Sequence, residues 1–412
     1  MNETAVIREA LNAHEGVIRL APTWVPRSFV VPGGRLRLDP RDLYALGAHR
    51  GGIDERWLAS TIPADNGPGT PEDEGLSYIS HEGERVLLRT AVEAMGDQLL
   101  GSDVMRREGG WTVLAKLFDN FGPLPHHMHQ QEEHAQAVGR HSKPEAYFFP
   151  REYNSKENAF PYTFMGLNPG VCKSQVRHCL EHWNDGDNGI LLYSRAYKLE
   201  PGTGWQIDAG ILHAPGSLVT YEVQRGSDVL AMFQSMLDGR PVSWDLLVKD
   251  VPPERRNDLD YIVGMLDWDA NVDPDFVVHR QCRPKAVRAE SDMAEHGYCE
   301  RWIAYSKYYC AKELTVFPGR SVVIGDAAAY GLLVIQGHGA VGGLPVEAPS
   351  LIRYGQMTQD ELFVTVTAAK QGVVIRNLGE TENLVILKHF GPDNPDTMEP
   401  TPVNLLSCEG SR

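Results

Sequence analysis

Cysteine is scarce in this sequence and never closely paired: six residues, at positions 172, 179, 282, 299, 310 and 408, with no CxxC spacing. That excludes a disulfide framework and a thiolate metal ribbon, and it points to a reducing compartment, the cytoplasm. Long apolar runs are missing too. No window approaches the ~18 continuous apolar residues of a membrane-spanning helix. The opening residues, MNETAVIREALNAHEG, lack the basic start and apolar stretch of a secretory leader. Basic patches are also absent. With a net charge of -16 and scattered lysines and arginines, neither nucleic acid nor an anionic membrane surface is expected as a partner.

What the chain has is the composition of a globular protein, 42% hydrophobic and 23% charged, and enough length for two or three domains. Its 40 glycines and 27 prolines are spread along the chain, which suits many short strands joined by turns. Apolar residues at helical spacing predict a helix in ERVLLRTAVEAMGDQLL and another in PPERRNDLDYIVGMLDW, where Pro252 and Pro253 stand as a helix start wants. Short β-type runs dominate from Trp111 to about residue 240 and again from about 299.

The fold class expected is therefore mainly β: two barrels or sandwiches with an additional helical region. Residues 1–110 form an N-terminal segment whose helix packs on the first barrel. Residues 111–240 form that barrel, 241–298 a helical connection, 299–395 a degenerate second barrel and 396–412 a tail.

The stretch GPLPHHMHQQEEHAQAVGRHSKPEAYFF, residues 122–149, holds five of the fifteen histidines. Metal sites need ligands on a rigid support. His127 and His129, two apart, project to one face of an extended strand, and His126 to the other. Glu145 opens the apolar run AYFF and is held in place, so it is a better carboxylate ligand than the loop residues Glu132 or Glu133. His213 follows a Gly-rich turn in PGTGWQIDAGILHAPG. An HxH pair alone would equally suit an exposed loop. With a glutamate opening the next strand and a later histidine after a turn, the pattern becomes that of a cupin metal site, in which three imidazoles and one carboxylate leave coordination positions open.

Six segments in order resemble the type I mannose-6-phosphate isomerases, a family of zinc enzymes with two cupin folds. IDERWLAST is similar to a family segment, with Glu55, Trp57 and Ser60 in place. VLAKLFDN carries Lys116, LPHHMHQ looks like the first metal strand, and KPEAYFF matches the Lys-Pro-Glu segment. PGTGWQIDAGILHAPGS supplies the last histidine, and VTYEVQRGSDVLAMF brings Glu222, Ser227 and Asp228. The resemblance implies one divalent metal, zinc before manganese, nickel, cobalt or iron, held by His127, His129, Glu145 and His213. It implies a carbohydrate substrate and an aldose–ketose isomerase. His127 stands where the family has glutamine. Met232, Pro125 and Asp238 stand where it has an arginine, a serine and a lysine, all polar or basic groups suited to phosphate. The substrate class is accordingly a sugar or a sugar phosphate.

Isomerisation through an enediolate needs a proton-transfer group beside the metal. Glu222 is the first candidate. Lys143 is the second, its pKa expected to fall beside a cation. Lys116, Arg225 and Trp57 are candidate substrate contacts. An iron-dependent cupin dioxygenase and a non-catalytic carbohydrate-binding bicupin are the alternatives. Two look-alikes are set aside: GHGAVG opens no helix, and DWDANVDPD lacks the glycine and final glutamate of a calcium loop.

Overall fold

Two large antiparallel sheets lie back to back, and each is closed on its far side by a smaller sheet. The computed structural model describes residues 3–155, 160–392 and 394–396. Most of the expected tail, including Cys408, lies outside the described residues.

In the first barrel a seven-stranded sheet runs in the order Gln281–Cys282, Gly204–Ile207, Glu145–Phe148, Thr220–Arg225, Val113–Phe118, Gly52–Leu58, Thr23–Arg27. Facing it are five strands: Ser194–Lys198, Tyr162–Leu167, His213–Ala214, His127–Met128 and Ala231–Met232. The strand Val113–Phe118 is buried along its whole length, because both faces of its sheet are covered. Val113, Ala115 and Leu117 turn outward to the seam between the barrels, where they share a core with Ile303, Leu333 and Phe363. Leu114, Lys116 and Phe118 turn inward. The same alternation sends Tyr221 and Val223 outward and Glu222 into the barrel.

The second barrel pairs a nine-stranded sheet with a four-stranded one around an apolar core. Inside it Lys312 and Lys388 bind Asp326 at 2.6 and 2.7 Å, and Lys388 also pairs with Glu300.

The N-terminal segment does not sit on one barrel. Its strand Val17–Ala21 pairs with Glu361–Val364 of the second barrel, and Tyr78–His81 and Glu84–Leu87 extend that sheet. Thr23–Arg27 and Gly52–Leu58 join the first. Apolar residues of the helices Glu3–Ala13 and Leu88–Leu99 fill the seam. One chain segment thus belongs to both sheets, a pairing too distant along the chain for local pattern to register.

The second expected helix also divides. A 3-10 turn at Pro253–Arg255 precedes short helices Leu259–Gly264 and Trp268–Asn271. Asp258 and Asp267 explain the breaks, since each accepts a backbone N–H as an N-cap. These helices and Lys173–Glu181 cover the outer face of the five-stranded sheet through Met128, Leu167, Leu212 and Phe233. Among the described residues no helix is long and apolar enough to cross a membrane.

Candidate metal centre and its cavity

His127 and His213 are directly opposed in adjacent strands, so the cross-strand register brings their rings to 4.2 Å between centroids. His129 follows one turn of the pleat later, its ring 5.2 Å from that of His127 and 5.1 Å from that of His213. Nitrogen atoms of the three lie within 4.8 Å of one another. Each Nδ1 is engaged by a backbone carbonyl: Pro125 for His127 at 2.7 Å, Val229 for His129 at 2.6 Å, Ile211 for His213 at 2.9 Å. A carbonyl can only accept, so each Nδ1 carries the proton and each Nε2 presents a lone pair to the centre. His126 points away and is buried with both ring nitrogens unpartnered.

Glu145 reaches the cluster from the opposite sheet. Its oxygens lie 3.1 Å from Nε2 of His129 and 3.1 Å from Nε2 of His213. His213 Nε2 is nevertheless buried without a hydrogen-bond donor. Acceptor atoms of four side chains converging on one buried point are what a site built for a cation looks like. Three imidazoles and a carboxylate could hold a divalent metal.

Burial, with His213 and His129 as neighbours, holds His127 well below the usual imidazole range. His129 falls to about 4 through burial and Lys143. Both rings are therefore neutral at physiological pH. Glu145 is drawn well below the carboxylate range because Lys143 and His129 outweigh its burial, and Tyr147 donates its hydroxyl to Glu145 Oε1.

Glu222 and Lys116 are direct cross-strand partners. The Lys116 Nζ lies 3.5 Å from Glu222 Oε1 and 3.3 Å from Glu55 Oε1. Lys143 Nζ is 3.0 Å from Glu145, 3.5 Å from Glu222 and 3.2 Å from His129 Nε2. Burial and the nearby Glu145 raise the Glu222 carboxyl to about 7 against the pull of the two lysines. Although burial disfavours the charge of Lys143, Glu145 and Glu222 hold its proton on more firmly than usual. Glu145 belongs to the same Lys-Pro-Glu segment, whereas Glu222 arrives from the neighbouring strand.

Two expected contacts fall elsewhere. Arg225 sits three positions past Glu222, on the other face of the strand. It donates to Glu132 at 2.6 Å and to Ser142, and lies over the Tyr308 ring outside the cavity. Trp57 is fully buried with Val25, Ala64 and Leu114, and its Nε1 donates to Glu55 at 2.7 Å. It positions Glu55 and does not line the cavity. Glu132, held by His141, Ser142 and Arg225, also stays outside.

Other lining residues come from the N-terminal strands. Arg27 bonds Glu55 at 3.2 Å and Asn66 at 2.9 Å and approaches Asp228 to 3.9 Å. Despite burial, Arg27 and Lys116 hold Glu55 down at about 2. Asp54, beside it, is raised well above its usual value by burial and by Glu55. Phe29, Asn120, Leu124, Leu230 and Met232 complete the wall. This cavity is small, about 50 Å³. A larger one of about 390 Å³, near His14 and Arg376, has no convergent ligand or acid–base groups, so chemistry and not size identifies the site.

The fold these elements define is the bicupin: two barrels, the first with a three-histidine, one-glutamate cluster between its sheets. No family model matches the sequence, and neither does any curated protein. Among solved structures the chain is similar to the mannose 6-phosphate isomerase from Bacillus subtilis, at a TM-score of 0.60 and 14% identity over 90% of this chain and 99% of that one. A point variant of phosphomannose isomerase from Salmonella typhimurium matches at 0.57 and 14% over 92% of this chain and all (100%) of that one. A zinc-bound mannose 6-phosphate isomerase matches at 0.57 and 13%, with coverage of 92% and 100%. The likeness extends over both barrels, and at these identities it is a likeness of fold.

Proposed function

We propose that the protein is a metal-dependent aldose–ketose isomerase acting on a carbohydrate, with His127, His129, Glu145 and His213 holding one divalent metal ion, zinc in the first instance. The observation that carries this reading is a buried carboxylate, Glu222, within 3.5 Å of two lysines and on the same cavity wall as three imidazoles whose Nε2 lone pairs are aimed inward.

A divalent metal supplies charge stabilisation as negative charge builds on a carbonyl oxygen. The chain's own groups do the rest. Glu222, titrating near neutrality, takes the proton from one carbon and returns it to the neighbouring one. Lys143 and Lys116, both buried, offer N–H donors to developing oxyanions and stabilise the enediolate without reorganisation. Tyr147 and the backbone carbonyls behind each imidazole keep the first wall of the site in one orientation. Phe29, Phe118, Leu124 and Met232 keep water from the reacting carbons.

The test is proton NMR of zinc-loaded protein with aldoses in deuterium oxide. Exchange of the hydrogen next to the carbonyl, together with ketose formation, is the expected result. Metal-loaded protein that exchanges no such hydrogen on any aldose or aldose phosphate would sink the reading. Oxygen consumption by an iron-loaded sample would replace it with dioxygenase chemistry.

A further inference from the structure

We infer that the cavity takes a neutral, unphosphorylated polyhydroxy sugar and discriminates against the phosphate ester of that sugar, an inference that rests on the isomerase reading above and names its substrate class.

The first observation is Asn120. It lines the cavity, is 2% exposed, and neither its side-chain nitrogen nor its oxygen has a hydrogen-bond partner. A buried amide left with a donor and an acceptor unmet costs stability. A sugar hydroxyl, which both donates and accepts, satisfies such a group completely.

The cations of the wall give the second. Phosphate recognition requires guanidinium or ammonium groups with capacity to spare. Arg27, Lys116 and Lys143 line this cavity, and every one is already paired with carboxylates: Arg27 with Glu55, Lys116 with Glu55 and Glu222, Lys143 with Glu145 and Glu222. Asp54 and Asp228 line the wall as well, so carboxyl groups outnumber these three cations. A phosphate dianion would therefore have to displace a carboxyl partner from one of these cations before it could bind it.

The remaining unpartnered atoms argue the same way. Asp54 Oδ1 and Asp228 Oδ2 are buried without hydrogen-bond partners. Carboxylate oxygens accept from sugar hydroxyls, whereas a phosphate dianion offers only acceptors and negative charge. Met232, directly opposite His127 in the sheet, contributes an apolar surface where a charged group would have to be desolvated.

Isothermal titration calorimetry on the zinc-loaded full chain, with matched pairs of mannose, glucose and fructose and their 6-phosphates, separates binding from turnover. At least one free sugar is expected to bind at least tenfold more tightly than its ester. Asn120→Ala should weaken that sugar about tenfold while leaving zinc content unchanged. Asn120→Asp, which keeps the shape and an acceptor, should weaken it less and should not improve the ester. An ester that binds as tightly as its free sugar, or more tightly, overturns the inference while leaving isomerisation intact if the ester turns over. Selective binding of a free sugar without hydrogen exchange supports the ligand class and overturns the isomerase reading. Failure of every sugar and ester to bind overturns both.

Discussion

Tyr221 and His389 share a hydrogen bond of 2.9 Å across the seam between the two large sheets. Tyr221 immediately precedes Glu222 and faces the opposite way, so the strand that delivers the proposed base into one barrel is fastened by its outer face to the other. His389 is fully buried, and burial lowers its pKa to about 3 from an ordinary 6.5. In the unfolded chain the ring takes up a proton below pH 6.5; in the folded chain it does not until about pH 3. Stability from this group is therefore complete above pH 6.5 and is lost as pH falls toward 3, by up to about 1.4 kcal/mol per pH unit. Urea midpoints between pH 4 and 8 should fall more steeply on the acid side for the natural protein than for His389→Gln. Equal slopes would mean that His389 is not buried as a neutral ring. Tyr221→Phe should cost about 1 kcal/mol at neutral pH.

The metal centre makes a selective prediction about histidines. His127→Ala or His213→Ala should remove tightly bound zinc, because each leaves two imidazoles and a carboxylate with a gap in the set. His134→Ala and His141→Ala should not; His134 has Glu133 3.6 Å away and His141 has Glu132 at 2.9 Å, both away from the cavity. A second cluster, His178, Glu181 and His182, is exposed on the helix Lys173–Glu181 and its end. Metal analysis after extensive dialysis should show that His178→Ala leaves the tight site filled. Loss of tight zinc on changing His134, His141 or His178 would contradict the assignment.

Much of this centre was legible because its signals are local. HxH on a strand, a glutamate opening the next and a histidine after a glycine turn each depend on a few neighbouring residues, and the structure brings those four together. Arg225 was legible too and was misplaced: strand parity alone puts positions 222 and 224 on one face and 225 on the other. Arg27, Asp54 and Asn120 were not readable. Arg27 and Asp54 reach the cavity only because Thr23–Arg27 and Gly52–Leu58 add to the first sheet. Asn120 becomes notable only once its lack of partners is seen. The sharing of residues 1–110 between barrels depends on pairings such as Val17 with Val364, and no local pattern encodes them.

Glu222→Gln tests whether the site transfers protons or only binds. The amide keeps the size and the strand position, but it cannot act as a base. Turnover should fall by about 10²–10⁴-fold, the usual contribution of a positioned general base. Zinc content should be unchanged, and sugar affinity should shift only a few-fold. A fall confined to KM, with kcat retained, would assign Glu222 to substrate binding.

Arg225 and Arg27 offer a matched contrast, since both are arginines paired with glutamates near the site. Arg225 is partly exposed and bonds Glu132 at the surface. Arg225→Ala should change stability by no more than about 1 kcal/mol, the range of exposed ion pairs, and should leave turnover within a few-fold. Arg27 is buried with Glu55 and Asp228. Arg27→Ala would strand Glu55 in the interior, beside Lys116 alone, and should cost about 3–5 kcal/mol. Arg27→Lys separates charge from shape: it retains the cation but not the fork that serves Glu55 and Asn66 together. Denaturation midpoints should rank natural protein, Arg225→Ala, Arg27→Lys, Arg27→Ala in falling order. Turnover should follow the same order, because Glu55 and Lys116 lean on Arg27 and Glu222 leans on Lys116. An Arg225→Ala variant that lost activity as badly as Arg27→Ala would mean that Arg225 serves the cavity after all.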